Sequence, residues 1–194
     1  MSEDIIIQID YHPFYDDLLQ SFSDKGKKII YNIVNNNIHL NTQGNISSYI
    51  QKYGSLDYLS VVHLSLDLAL HIAILKNYNY GFLYFDPADI YIINDDTFII
   101  SNLHHCLPIV QSNKLLLDDY SHVYIHNMKF IAPELKDNVF IYDINYNIIF
   151  YSLALISIYA LNIIHINNIS HTKLFFALKR CLRDNIERRI FYYL

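Results

Sequence analysis

Residues 144–172 carry no formal charge, and the run NIIFYSLALISIYALNII inside them is apolar on every side of a helix. Such a run cannot stand in water, so a protein core or a bilayer must take it up. Its length alone permits a membrane crossing. However, Asn147, Ser152, Ser157 and Asn162 interrupt it, and no basic cluster flanks its start to set an orientation. The sequence therefore predicts a fully buried core helix from about Asn147. Membrane or partner contact across 147–164 is the disfavoured alternative. A helix apolar on all sides needs other elements around it. The 194 residues, 53% of them hydrophobic, suffice for one domain with a real core and argue against disorder.

Charge and cysteine content narrow the function. A net charge of −5 leaves no basic footprint for a nucleic-acid backbone. Two cysteines make no disulfide scaffold, which points to a reducing, intracellular and cytoplasmic setting. The acidic start MSEDIIIQIDYH lacks the basic region of a signal peptide. Heavy use of Ile, Asn and Tyr suits an AT-rich genome such as that of a large DNA virus or an intracellular parasite, in which case the cytoplasm is that of a host cell.

Along the chain, residues 4–9 read as a short strand by their β-branched run. Pro13 suits the first turn of a helix that follows. KKIIYNIV and NIHLNT flank Asn35-Asn36, a pair that tolerates left-handed dihedrals, so they read as a hairpin. Asn45 or Ser47 caps a short helix that stops at Gly54. A longer helix starts at Ser55, with Leu59, Val62, Leu66, Ala69, Leu70 and Ala73 as its buried face. FLYF, IYII and TFIIS read as strands, the last two joined by a turn at Asn94-Asp95-Asp96. From Ser101 to Lys129 the chain reads as one long irregular loop, a length usually tied to function. HTKLFFALKRCLRD closes the chain as an amphipathic helix.

Several spaced motifs then fall into a familiar order. YGFLYFDPADIYII is followed by FIISNLH, by Ala132-Pro133-Glu134, by YSLALI and by CLRDNIERRI. This order resembles the C-terminal lobe of a protein kinase across residues 45–190. Pro87 matches the proline of H-R-D-x-K-P-x-N, FIISNLH sits at D-F-G, and YSLALI sits at W-S-L-G. CLRDNIERRI resembles the closing C-L-x-x-D-P-x-x-R. The resemblance implies a mainly α (α+β) fold: a kinase-like C-terminal lobe over 45–194, with an N-terminal lobe reduced over 1–44 to one helix and a β-hairpin. It also implies an ion pair between Glu134 and Arg189. A buried carboxylate needs such a partner, and the pair is architectural, so it can outlast catalysis.

The chemistry of phosphoryl transfer, by contrast, is missing from those positions. With Pro87 aligned, the catalytic aspartate falls on Tyr84, whose ordinary pKa bars it from acting as a base near neutrality. The loop lysine becomes Asp86 and the metal-binding asparagine becomes Asp89. The D-F-G aspartate becomes Asn102, a poor magnesium ligand. A one-residue shift puts Asp86 in the catalytic slot but misplaces Pro87. The four glycines form no phosphate loop, and no lysine precedes the first helix. The resemblance thus implies a catalytically inactive kinase-like protein (a pseudokinase) with no cofactor and no bound ATP. It is expected to bind a protein as scaffold, decoy or inhibitor. A small structural subunit of a larger assembly, membrane-associated or not, is the alternative. Residual acid–base activity at Asp86 or Asp89 is a third reading.

Other constellations are weaker. His104, His105 and Cys106, with His122 and His126 four residues apart, lack the C-x-x-C or H-E-x-x-H that zinc sites carry, and solvated histidines explain them more simply. A Cys106–histidine nucleophile has no orienting motif. Cys181 reads as a small core residue. Asp118-Asp119 and Asp95-Asp96 read as solvated turns, with an acidic patch for a basic peptide as the livelier version.

Overall fold

Pro13 opens helix α1 (Pro13–Asp24) because its ring presets a first-turn dihedral and its missing N–H is not needed there. His12 Nδ1 caps the turn, accepting the Phe14 N–H at 3.1 Å. The structure, a computed structural model, describes residues 5–94, 96–110, 113–117, 129–137 and 143–193. Asp4, Asp95, Asp118, Asp119, His122 and His126, all singled out by sequence, lie outside them. Before α1 runs β1 (Ile5–Asp10), and after it come β2 (Tyr31–Val34) and β3 (Asn37–Thr42). Asn35 and Asn36 take φ of 50° and 63°, the left-handed pair that a two-residue hairpin turn requires. The N-terminal region is more than a helix and a hairpin, because β1 joins β3 and completes a three-stranded sheet in the order β1-β3-β2. Ile7, Ile9, Ile38 and Leu40 line its buried face.

Helix α2 (Ile46–Tyr53) starts at Asn45, whose Oδ1 accepts the Ser48 N–H at 2.8 Å. It stops at Gly54, where φ is 90°. Helix α3 (Tyr58–Asn77) begins later than Ser55, because Asp57 is the better cap: its Oδ1 takes the Leu59 and Ser60 N–H groups at 2.9 and 3.0 Å. The expected buried face is also wrong. Val62 is buried, but Leu59 and Leu66 are 60% and 36% exposed and Ala73 is exposed. The inward face instead carries Val61, Leu64, Ser65, Asp67, Leu68, His71, Ile72 and Leu75. Apolar residues surround α3, so spacing alone does not select the covered side, and the polar inward residues hide it further.

Strand β4 (Tyr80–Phe82) leads to the hairpin β5 (Ile90–Ile93) and β6 (Thr97–Ile100). The first part of the expected irregular loop is ordered: β7 (Cys106–Val110) and β8 (Lys114–Leu116) join β4 and β9 (Asp143–Asn145) in the order β4-β7-β8-β9. Helix α4 (Pro133–Asp137) is short, α5 (Ile149–Ala160) follows a 3-10 turn, and α6 (Lys173–Cys181) is capped by Thr172. The fold is thus mixed α+β. With 12 residues, α5 is roughly 18 Å long, short of the roughly 30 Å of a bilayer core. Its Leu153, Ala154, Ile156 and Ala160 are buried inside the fold. Among the described residues, α3 is the one helix long and apolar enough to cross a membrane. It packs against β6, α5, β4 and α1. Ser65 on α3 and Ser157 on α5 meet at 2.8 Å, one hydroxyl donating to the other, and each Oγ also lies close to a carbonyl of its own helix, that of Val61 at 2.8 Å or Leu153 at 2.9 Å.

A polar network fastens the N-terminal elements to this body. Lys27 Nζ donates to both oxygens of Asp67, at 2.9 and 2.7 Å, and to the Asp96 carbonyl at 2.7 Å. Asp67 Oδ2 also accepts the Phe98 N–H, and His71 Nε2 accepts the Ile100 N–H at 3.2 Å. Tyr15 on α1 donates to the Ile100 carbonyl at 2.9 Å. Burial pushes Asp67 up to about 6, although Lys27 opposes the rise. It pushes His71 down to about 4. The two act with opposite sign. Folded Asp67 holds its proton more tightly than the unfolded chain, so ionising it costs stability as pH rises through 4 to 6. Folded His71 refuses its proton, so stability falls as pH drops from 6.5 towards 4. Replacing Lys27 with Met leaves the Asp67 carboxylate without its cation. Urea denaturation of Lys27→Met at pH 8 should show a loss of about 3 kcal/mol. The loss should shrink at pH 5, where Asp67 takes up a proton.

Candidate functional site

The loop between β4 and β5 is pinned from four sides. The Leu83 N–H donates to the His105 carbonyl at 2.8 Å, and the Ser47 N–H donates to the Pro87 carbonyl at 3.2 Å. The Ser101 N–H donates to the Asp89 carbonyl at 2.8 Å. From beneath, Ser152 on α5 accepts the Phe85 N–H at 2.8 Å. Within the loop, Asp86 Oδ1 accepts the Ala88 N–H at 2.8 Å, closing a turn around Pro87. A polar residue in a nearly all-apolar helix is the signal that would have found Ser152. Sequence reasoning treated it only as an interruption.

Four positions singled out by sequence converge here. Tyr84, Asp86, Asp89 and Asn102 line one nook together with His105, which sequence reasoning placed in a solvated loop. The nook encloses about 10 Å³, room for a water molecule at most. Tyr84 and His105 rings lie 4.2 Å apart, and the Tyr84 hydroxyl is 3.2 Å from His105 Nε2. Burial first, then Asp86 and Asp89, push Tyr84 up to about 12, so it is a neutral phenol at any physiological pH. Burial lowers His105. The imidazole is therefore neutral, and its 3.7 Å approach to Asp89 is not an ion pair near pH 7. Burial and the neighbouring Asp86 raise Asp89, while Asn102 opposes the rise by hydrogen bonding.

A larger cavity of about 290 Å³ opens on the other side of the loop, lined by Ser47, Tyr84, Asp86, Pro87, Phe130 and Tyr159 among others. Lys129 is the one lysine lining either cavity among the described residues. Also among the described residues, no three His, Cys, Asp or Glu side chains gather into a metal-binding group. Burial raises the Cys106 thiol, which makes it a poor nucleophile. Cys181 is fully buried, with its thiol pushed up to about 12 by burial.

Glu134 and Arg189 meet outside both cavities. Among the described residues, Arg189 is the largest fully buried side chain, at 1% exposure. Both guanidinium ends bond Glu134: Nη1 to Oε2 at 3.1 Å, and Nη2 to Oε1. Arg189 Nε donates to the Arg183 carbonyl at 2.7 Å, and the guanidinium lies 4.9 Å from the Tyr151 ring centre. The pair thus links the short helix α4, the first turn of α5 and the C-terminal segment. No family model matches the chain, and no curated protein matches it.

Breaking this pair should be expensive because the guanidinium has no water to turn to. Glu134→Gln, which strands the guanidinium, should lower stability by about 3 kcal/mol in urea titrations, and Arg189→Met, which leaves a carboxylate that is 27% exposed, should cost less. A double-mutant cycle should give a coupling above about 1 kcal/mol. Ser152→Ala strands the buried Phe85 N–H, and a loss of roughly 1–3 kcal/mol is expected by the same measurement.

Proposed function

We propose that the chain is a kinase-like domain without phosphotransferase chemistry, and that it acts by binding another protein as scaffold, decoy or inhibitor. The observation that carries this reading is the Glu134–Arg189 pair, which joins the Ala-Pro-Glu segment to the closing stretch CLRDNIERR. The β5–β6 hairpin ahead of Asn102, and α5 beneath the loop that holds Pro87, support it by their order. The reading of inactivity rests on particular side chains. Tyr84 is a buried neutral phenol where a carboxylate base belongs, and Asn102 brings no charge to a metal. Asp89 retains a carboxylate, but it faces His105 and Asn102 in a nook too small for a phosphate chain. The alternative, a structural subunit whose charge-free segment is covered by a partner, has less support, since α5 is already buried by its own chain.

Thermal unfolding with saturating ATP and magnesium tests the proposal. The midpoint should move by less than about 1 °C. Binding at one hundred times the dissociation constant would add about 2.7 kcal/mol, which for a chain of this size is a rise of roughly 5–10 °C. A rise of that size would overturn the reading. A protein recovered in stoichiometric amount with the native chain is the positive counterpart.

A further inference from the structure

Helix α6 turns Leu174, Leu178 and Cys181 into the core and shows water a very different side. Lys173, Phe176, Lys179 and, just past the helix, Arg183 are exposed at three- and four-residue steps, so they share one face. Half-buried Arg180 completes a stripe of four cations around one aromatic ring, and no carboxylate lies between Thr172 and Arg183. Among the described residues, none of the four makes an ion pair. Aromatic faces and carbonyls hold them instead. Lys179 Nζ lies 5.4 Å from the Phe175 ring centre, and the Arg180 guanidinium lies 5.9 Å from that of exposed Tyr192. Arg180 Nη1 donates to the Tyr192 carbonyl at 2.9 Å and Arg183 Nη1 to the Arg188 carbonyl at 3.3 Å, which leaves each guanidinium with donors to spare.

This charge is concentrated against the trend of the chain. Residues 173–194 carry six Lys and Arg against two acids, whereas residues 1–172 carry eight against seventeen. The helix dipole accounts for Lys179 and Arg180 in the last turn, but it disfavours Lys173 in the first. Phe176, 56% exposed in the middle of the stripe, gains nothing from water.

We propose, resting on the reading of the chain as a protein binder, that this stripe docks an acidic segment of the partner protein. Carboxylates one helical turn apart, as on the face of an acidic helix, match the steps between its cations. Each meets a Lys or Arg in a charge-assisted hydrogen bond, and the arginines grip theirs with two donors. An apolar side chain among the carboxylates covers Phe176, and aromatic rings and arginines are the groups that carry most interface energy. A bilayer is the poorer occupant. The core already uses the apolar face of α6, so the ring of Phe176 is all the helix has to insert.

The test is fluorescence anisotropy of a labelled peptide with Glu at helical spacing around a central Leu, titrated with the full chain. Saturable binding is expected, with a dissociation constant on the order of 10–100 μM, and it should weaken as salt is raised. The same peptide with Gln for Glu should not bind. Lys179→Glu should weaken binding about tenfold, and adding Arg183→Glu about tenfold again. Phe176→Ser should also weaken it about tenfold. All three side chains are exposed, so circular dichroism should show the fold intact; where a variant unfolds, Lys179→Gln and Arg183→Gln take its place. No binding of the Glu peptide overturns the proposal, as does binding indifferent to these substitutions. Tighter, Phe176-dependent binding to phosphatidylserine vesicles also overturns it and gives the stripe to a membrane. A native partner recovered equally well with the doubly substituted chain overturns this surface and leaves protein binding standing. Conversely, peptide binding that persists beside a large ATP-induced rise in the unfolding midpoint upholds the surface and removes only the reading of inactivity.

Discussion

An ionised carboxylate inside a protein needs a cation and several donors, and Asp67 organises the fold around that need. Lys27 supplies the cation and the Phe98 N–H supplies a further donor. One residue sits on the chain between α1 and β2, one on α3 and one on β6. Satisfying one buried group therefore requires three separate elements to be in place at once. His71, one turn along α3, extends the requirement to Ile100, and Tyr15 brings α1 to the same strand. The N-terminal sheet and helix are docked by polar as well as apolar contact.

The same physics recurs at the far end of the chain. Arg189 is buried with its donors divided between Glu134, the Arg183 carbonyl and the face of Tyr151. Such a pair adds little net stability over an apolar replacement, yet losing one partner is severe. Its effect is to specify which segments meet: α4, α5 and the C-terminal stretch. Between the two ion pairs, α5 serves as the floor. Ser157 anchors α3 to it, and Ser152 anchors the loop around Pro87. The small polar groups that broke the apolar run are thus points of attachment.

That arrangement gives the proposed loss of catalysis a physical form. The nook at Tyr84, Asp86, Asp89 and Asn102 is held as firmly as a working site, by hydrogen bonds from several elements. What lines it is a phenol, an imidazole, an amide and two carboxylates, of which Tyr84 lies against His105 and Asp86 accepts the Ala88 N–H of its own loop.

Local readings succeeded where short-range chemistry decides conformation. Asn35-Asn36 sets the hairpin, Pro13 and Asn45 set helix starts, and the charge-free run becomes a buried helix, each through neighbours a few residues away. The Glu134–Arg189 contact was legible because each residue lay in a recognisable stretch. Periodicity failed on α3, since a helix apolar all round gives no preferred side until its neighbours are known. It also failed on β7 and β8, which are strands only because β4 and β9 complete their ladders. The sequence by itself determined the elements whose backbone is governed locally, and the demand that the apolar run be buried, which the structure meets over Ile149–Ala160 but not beyond it, where Ile164 stands 88% exposed. Tertiary structure alone decided that Lys27 meets Asp67, that Ser152 holds Phe85 and that β2, among the described residues, pairs on one side only. Those are contacts between residues far apart in the chain, and no local spacing encodes them.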